Sequence, residues 1–275
     1  VDQCLVRGSM NYLAPWSPDP AKLEYEYSPS QWSKRTYADY APDFTRDGER
    51  EYESVKARLD RVEYGKRERE FFEWIPGSPL QPTFMWIHGG YWQGSSVSEA
   101  RYGMSRLADL DWSVANLEYT LAPAATIYDM VDECVLAIQE IRTRSNAKLI
   151  VGGHSAGAHL ALMAAQSVRV EELLLVSGVF DLRPLAHMSL RDEVGLDQSN
   201  AEKLSPMLNT FSVPAPVRAK VLVGAEESQS FIDQSNAVAE YLTDLQVSVI
   251  SKKAPGRDHF DVITLQNHID FLLES

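Results

Sequence analysis

Residues 149–165, LIVGGHSAGAHLALMAA, change character twice within a few positions. An apolar run stops at two glycines, a serine stands among small residues, and an alanine-rich helical pattern begins at once. That order describes a strand turning sharply into a helix. At the junction lies Gly153-His154-Ser155-Ala156-Gly157, a G-x-S-x-G match in the context that a strained, nucleophile-bearing bend requires. The flanking glycines remove side chains that would collide there, and the helix start aims backbone N–H groups at a reacting carbonyl. The plainer reading of the same residues is a small-residue turn that only permits close packing.

The rest of the chain supplies a sheet for such a bend. Strands are predicted at 59–64, 69–75, 83–88, 113–119, 148–153, 172–177, 220–225 and 247–253. Several are Val-, Ile- and Leu-rich runs of the kind buried on both faces of a parallel sheet. Helical stripes lie between the later ones. Residues 126–142 place Ile127, Val131, Cys134, Ile138 and Ile141 on one face, and Thr126 with Asp129 forms a capping start. Residues 229–245 repeat the pattern with Phe231, Val238, Leu242 and Leu245, and residues 261–273 with Val262, Leu265, Ile269 and Leu272. Alternating strands and helices predict an α/β fold, a mostly parallel eight-stranded sheet with helices on both faces. The first two strands, joined tightly through Gly65, are expected to form an antiparallel edge.

The opening VDQCLVRGSM reads as an expression-tag remnant ahead of Met10, so residues 1–9 are set aside and 10–275 form a single expected domain. Two proline-rich stretches, 11–50 and 181–216, lack clean periodicity and are expected to cap one end of the sheet. The charge run at 49–70 is mixed in sign and reads as solvated surface. The chain carries 39 acidic against 26 basic residues, a net charge of −13, which argues against nucleic acid or an anionic membrane as partner. No apolar run reaches the ~18–20 residues that span a bilayer. Two cysteines, with Cys134 on a core stripe, give no disulfide framework and fit a reducing cytoplasm.

A serine hydroxyl needs a base. In sheets with this bend the acid and base follow the serine in the chain. Of His88, His154, His159, His187, His259 and His268, only His187, His259 and His268 lie beyond the serine's helix. His268 falls inside the last helix and His187 in an irregular stretch. His259 follows the final strand at the sheet's carboxyl edge, where catalytic groups gather, and is the expected base. The acid belongs after the strand in KVLVGAEESQS; Glu226 and Glu227 both qualify, while Asp233 is already helical.

The segment WIHGGYWQGS (86–95) ends another strand in glycines followed by two large aromatics. Gly89 and Gly90 let main chain approach a substrate, so the amides of Gly90, Tyr91 and Ala156 are the expected oxyanion donors. Tyr91 and Trp92, with His154 and Phe260 beside the reacting residues, are expected to wall the pocket, and His88 to support the loop. No cofactor is called for, and neither H-E-x-x-H nor another metal-ligand cluster is present in the sequence.

With these motifs assembled, the chain resembles the hormone-sensitive-lipase-like branch of the α/β-hydrolase fold through HGG, LEYTLAP (117–123) and GHSAGAHL. More narrowly it resembles the arylformamidases, or kynurenine formamidases, through LEYEYSPSQW (23–32), HGGYWQGS (88–95), MVDECVLAI (130–138), GGHSAGAHLALM (152–163), LLLVSGVFDLRPL (173–185) and DHFDVI (258–263). The resemblance implies Ser155 as nucleophile, His259 as base, and Gly89, Gly90 and Ala156 around the oxyanion. It aligns the family's acid with Glu227, where aspartate is usual, and Glu226 stays open. It implies hydrolysis of an N-formyl aromatic amine such as N-formylkynurenine. The alternatives are a carboxylesterase or amidase for small aryl substrates, a metal-dependent hydrolase, and a binding protein without turnover. The expected partner is a small aromatic amide or ester, with a homodimer left open.

Overall fold

The computed structural model describes residues 16–264 and 267–274. The tag remnant, residues 10–15, and Leu265 of the last predicted stripe lie outside them. The described residues form one eight-stranded sheet: β1 Asp60–Glu63, β2 Phe71–Ile75, β3 Thr83–Ile87, β4 Ser113–Leu117, β5 Leu149–His154, β6 Glu172–Val176, β7 Arg218–Gly224 and β8 Ser248–Ala254. Their order is β1-β2-β4-β3-β5-β6-β7-β8. The β1/β2 and β2/β4 pairs are antiparallel and the others parallel. This is the α/β-hydrolase fold. The chain leaves β3 for β4 on one side and returns to β5 on the other. That reversal opens a crevice beyond the carboxyl ends of β3 and β5, the usual place for a ligand in such sheets.

Period-two alternation distributes the strand side chains between two cores. Met85, Val151, Leu173 and Val221 face a layer containing Ile138, Leu160 and Val238, from the helices α4 Ile127–Arg144, α5 Ala156–Ala165 and α6 Gln229–Asp244. Phe84, Ile150, Leu174 and Leu222 face the opposite layer, with Phe44, Leu107 and Ile269 from α2 Tyr37–Val55, α3 Met104–Asp109 and α7 Asn267–Leu273. Burying each large apolar side chain stabilises the fold by ~1.5–3 kcal/mol. Among the described residues no helix is long and apolar enough to cross a membrane.

The predicted capping of α4 is present: Thr126 Oγ1 accepts from the Asp129 amide, and Asp129 accepts from that of Thr126. Three expectations change. The β1–β2 connection is a seven-residue loop, 64–70, with Glu70 folded back to accept from the amides of Lys66 and Arg67. The last helix is described over Asn267–Leu273, and residues 261–263 are turn and bend rather than its beginning. Asp258 and Asp261 hold the intervening chain in a turn, each accepting the other's amide proton. The third change is α2, which lies across a stretch read as irregular and then as charged surface. Its stripe is Tyr40, Phe44, Gly48, Glu51 and Val55, and a glycine and a glutamate within it break the apolar pattern. A capping box formed by Thr36 and Asp39 starts it. Ahead of it, α1 (Pro20–Glu26) docks on the start of α6, where Ser228 Oγ donates to Glu26 O. Residues 181–216 contain 3-10 turns at Leu185–His187, Ser189–Arg191 and Pro206–Leu208.

Candidate active site

The G-x-S-x-G spacing has a steric cause visible atom by atom. A Cβ on Gly153 would lie 2.3 Å from the carbonyl of Gly157, and one on Gly157 would lie 2.1 Å from Ile87 O. Both glycines therefore let α5 sit directly on β5 and β3. Between them Ser155 adopts φ 54° and ψ −120°, a conformation that costs an ordinary residue of order 1–3 kcal/mol. Its amide donates to Val176 O of β6 at 2.8 Å, which pins the bend to the sheet edge.

Parallel pairing of Ile87 with Gly153 sets the loop after β3 beside that bend. Gly90, Tyr91 and Trp92 all have positive φ, 106°, 49° and 60°, so the chain coils tightly here. A Cβ on Gly90 would fall 2.2 Å from Gly94 O, so only glycine fits. Among the described residues the amides of Gly90, Tyr91 and Ala156 donate to no protein acceptor. The LEYT segment supports the loop from behind. The His88 ring stacks on Tyr119 at 4.4 Å, and Tyr119 OH donates to His88 O. Glu118 pairs with Arg69 and accepts from the Val97 amide.

His259 Nδ1 lies 2.9 Å from Glu227 Oε2. Because a carboxylate can only accept, Nδ1 carries the proton and Nε2 is left as the basic nitrogen. The other oxygen, Oε1, accepts from Ser177 Oγ and from the Gly224 amide at 2.7 Å. Glu227 is buried and Glu226 exposed, so the choice left open in the sequence falls to Glu227. The glutamate's extra methylene lets the side chain curl back to the amide three residues earlier while still reaching the imidazole. His259 is further packed by the edge of Phe231, 4.6 Å between ring centres. The turn that carries it hangs on Asp258, a buried carboxylate accepting from the amides of Lys34, Phe260 and Asp261 and from Tyr40 OH.

Ser155 and His259 open onto one cavity of about 260 Å³. Gly89, Gly90, Tyr91, His154 and Phe260 also line it. His154 Nε2 donates to His259 O at 2.9 Å, and burial, helped by the neighbouring His259, holds its pKa well below the ordinary histidine value. It is a neutral wall. Trp92 is a correction: it does not line the cavity. It is fully buried in the α4–α6 layer, edge-on to His159 at 5.2 Å, because the successive left-handed residues turn it inward. His268 is likewise a core residue, stacked on Trp86 at 4.7 Å. The wall also includes Pro29, Ser30, Tyr37, Phe44 and Glu99, none of which the sequence singles out. The Thr36–Asp39 capping signature was the one available sign of a helix there. Nothing in SVSEA marks Glu99.

A family model described as alpha/beta hydrolase fold matches residues 84–212. A kynurenine formamidase of Danio rerio is 30% identical over 264 residues, covering 88% of this chain and 89% of that protein. The kynurenine formamidase of Drosophila melanogaster is 29% identical over 66% of this chain and 67% of its own length. Among solved structures, a Silicibacter protein described as a candidate thioesterase superposes with TM-score 0.76 at 25% identity, covering 88% of this chain and 93% of that one. Esterase B of Lactobacillus rhamnosis, 17% identical with TM-score 0.62 over 85% and 92% of the two chains, shares the fold. The chain belongs to the arylformamidase, or kynurenine formamidase, family of α/β hydrolases.

Proposed function

We propose that this chain is a serine hydrolase that cleaves the formamide of an N-formyl aromatic amine, N-formylkynurenine being the model substrate. The observation that carries the reading is that His259, paired with the buried Glu227, lines the same cavity as the strained Ser155. The name the relatives share, kynurenine formamidase, supports the substrate class.

In this proposal Ser155 Oγ attacks the formyl carbon while His259 Nε2 takes its proton. The Glu227 carboxylate stabilises the imidazolium, and the amides of Gly90, Tyr91 and Ala156 receive the oxyanion. As the C–N bond breaks, His259 hands the proton to the departing aniline nitrogen. A water then gives a proton to His259 and attacks the formyl-serine, releasing formate and restoring the hydroxyl. A formyl carbon bears only hydrogen, so the acyl side needs almost no room. The aromatic walls of the cavity are left for a planar leaving group. The proposed location is the cytoplasm, a reducing compartment in keeping with the buried free thiol of Cys134.

Purified protein incubated with N-formylkynurenine should release kynurenine, followed by its absorbance. Turnover of phenyl acetate without turnover of N-formylkynurenine would move the chain to the esterase alternative. A fluorophosphonate that fails to label Ser155 would remove the serine mechanism.

A further inference from the structure

Glu99 is the acidic residue among the described residues of the cavity wall, at the end of the 3-10 turn Val97–Glu99. Its Oε2 accepts from Tyr37 OH at 2.9 Å, and no lysine or arginine lines the cavity. Among the described residues no cation pairs with it. The other described side chains of the cavity wall are aromatic, apolar or neutral, Tyr37, Phe44 and Trp86 among them. A carboxylate without a counter-charge on the wall of a partly enclosed cleft attracts a cation that enters it more strongly than it would in open water. Aromatic faces beside it favour the same sign of charge.

We propose that Glu99, oriented by Tyr37, is a specificity-determining residue that selects substrates bearing an ammonium group on the leaving-group side. The inference rests on the reading of this cavity as the hydrolytic site and names the group that the site recognises by charge. An aryl amine with an amino-acid side chain presents such an ammonium; its carboxylate finds no cationic partner in the wall and is expected to point toward solvent.

The test compares substrates in matched pairs. One pair is N-formylkynurenine and its desamino analogue. The other is 4-(2-aminoethyl)phenyl acetate and its neutral isostere 4-propylphenyl acetate. For each pair the ratio of kcat/KM is taken within one preparation, so loss of folded enzyme cancels. The wild type should prefer the ammonium member by about tenfold, the scale of a charge-assisted hydrogen bond in a partly solvated site. Glu99→Gln should bring the ratio near unity, and Glu99→Arg should push it below unity. Equal ratios in the wild type and Glu99→Gln overturn the inference even if N-formylkynurenine is a good substrate. If neither formamide is hydrolysed but the ester ratio follows residue 99, the formamidase reading falls and the recognition of an ammonium stands.

Discussion

The carboxyl edge of the sheet and the N-terminal segment around α1 and α2 meet at one cavity, yet they are held there by opposite means. Ser155 is placed by main chain: two glycines in contact, an amide on β6, and the parallel ladder that aligns Ile87 with Gly153. Glu227 is fixed by an amide three residues back on its own chain and by Ser177 at the next strand's edge. The opposite wall is positioned by side-chain reach. Tyr40 OH finds Asp258 at a separation of 218 residues, and Tyr37 OH finds Glu99 at 62. The chemistry thus rests on topology, whereas the shape of what may enter rests on a few long-range polar contacts. Changes at the sheet edge should abolish turnover outright, and changes in the N-terminal wall should grade it by substrate.

The largest expected effect tests the first half of that contrast. Ser155→Ala should lower kcat for N-formylkynurenine by about 10⁴-fold or more, with the circular-dichroism spectrum and urea midpoint retained. Glu227→Gln should follow, at about 10³-fold, since the amide can offer its NH₂ to the imidazole and select the wrong tautomer. A loss below tenfold in Glu227→Gln would show that His259 is oriented by Phe231 and its own loop rather than by the carboxylate, and topology would lose its hold on the base.

The same contrast explains what could be read in advance. The elbow, the glycine loop and the α4 cap announce themselves because each is a local arrangement with a steric or hydrogen-bonding reason of its own, whereas His259 is marked only by its place after the final strand. The positions of the strands and the mostly parallel sheet follow from the alternation of strands with helices and from runs of Val, Ile and Leu. The inward turn of Trp92 was not legible, since it depends on φ at three successive residues and on a space beside His159. The α2 helix was hidden because its buried stripe includes Gly48, pressed against Ser98 O, and Glu51, which accepts from the Ser105 amide. Both residues look like surface until their partners are known. Glu99 and Tyr37 gain meaning only once α2 is folded over the sheet.

Stability offers a further test, because each core layer buries a neutral histidine. Burial lowers the pKa of His159, in the α4–α6 layer, to about 4 and that of His268, in the α2 layer, to about 3. Both lie below the unfolded value of ~6.5, so the unfolded chain binds more protons in between. The stability is fully present above pH ~6.5 and is lost as pH falls toward 4 and below. Urea unfolding at several pH values should show a fall on the order of 3 kcal/mol per histidine by the acid end of that window. His268→Gln should flatten the part belonging to the α2 layer while leaving the His159 part. An unchanged slope in that variant would mean that the two layers do not share the acid sensitivity.

The smallest change is the most discriminating. Tyr40→Phe deletes one hydroxyl donor, 3.2 Å from Asp258, and leaves that carboxylate its three amide donors. The cost should be about 1 kcal/mol, roughly fivefold in a constant that depends on this contact. The contact joins the N-terminal wall to the loop of His259. If the two regions are built as described, the loss should fall on KM for the bulky N-formylkynurenine. Labelling of Ser155 by a small fluorophosphonate needs only the sheet-edge groups and should change by less than about twofold, within the range of a weakened distant contact. An equal fall in both would mean that α2 helps to set the imidazole itself. The division between a chemistry held by main chain and a wall held by side chains would then be drawn in the wrong place.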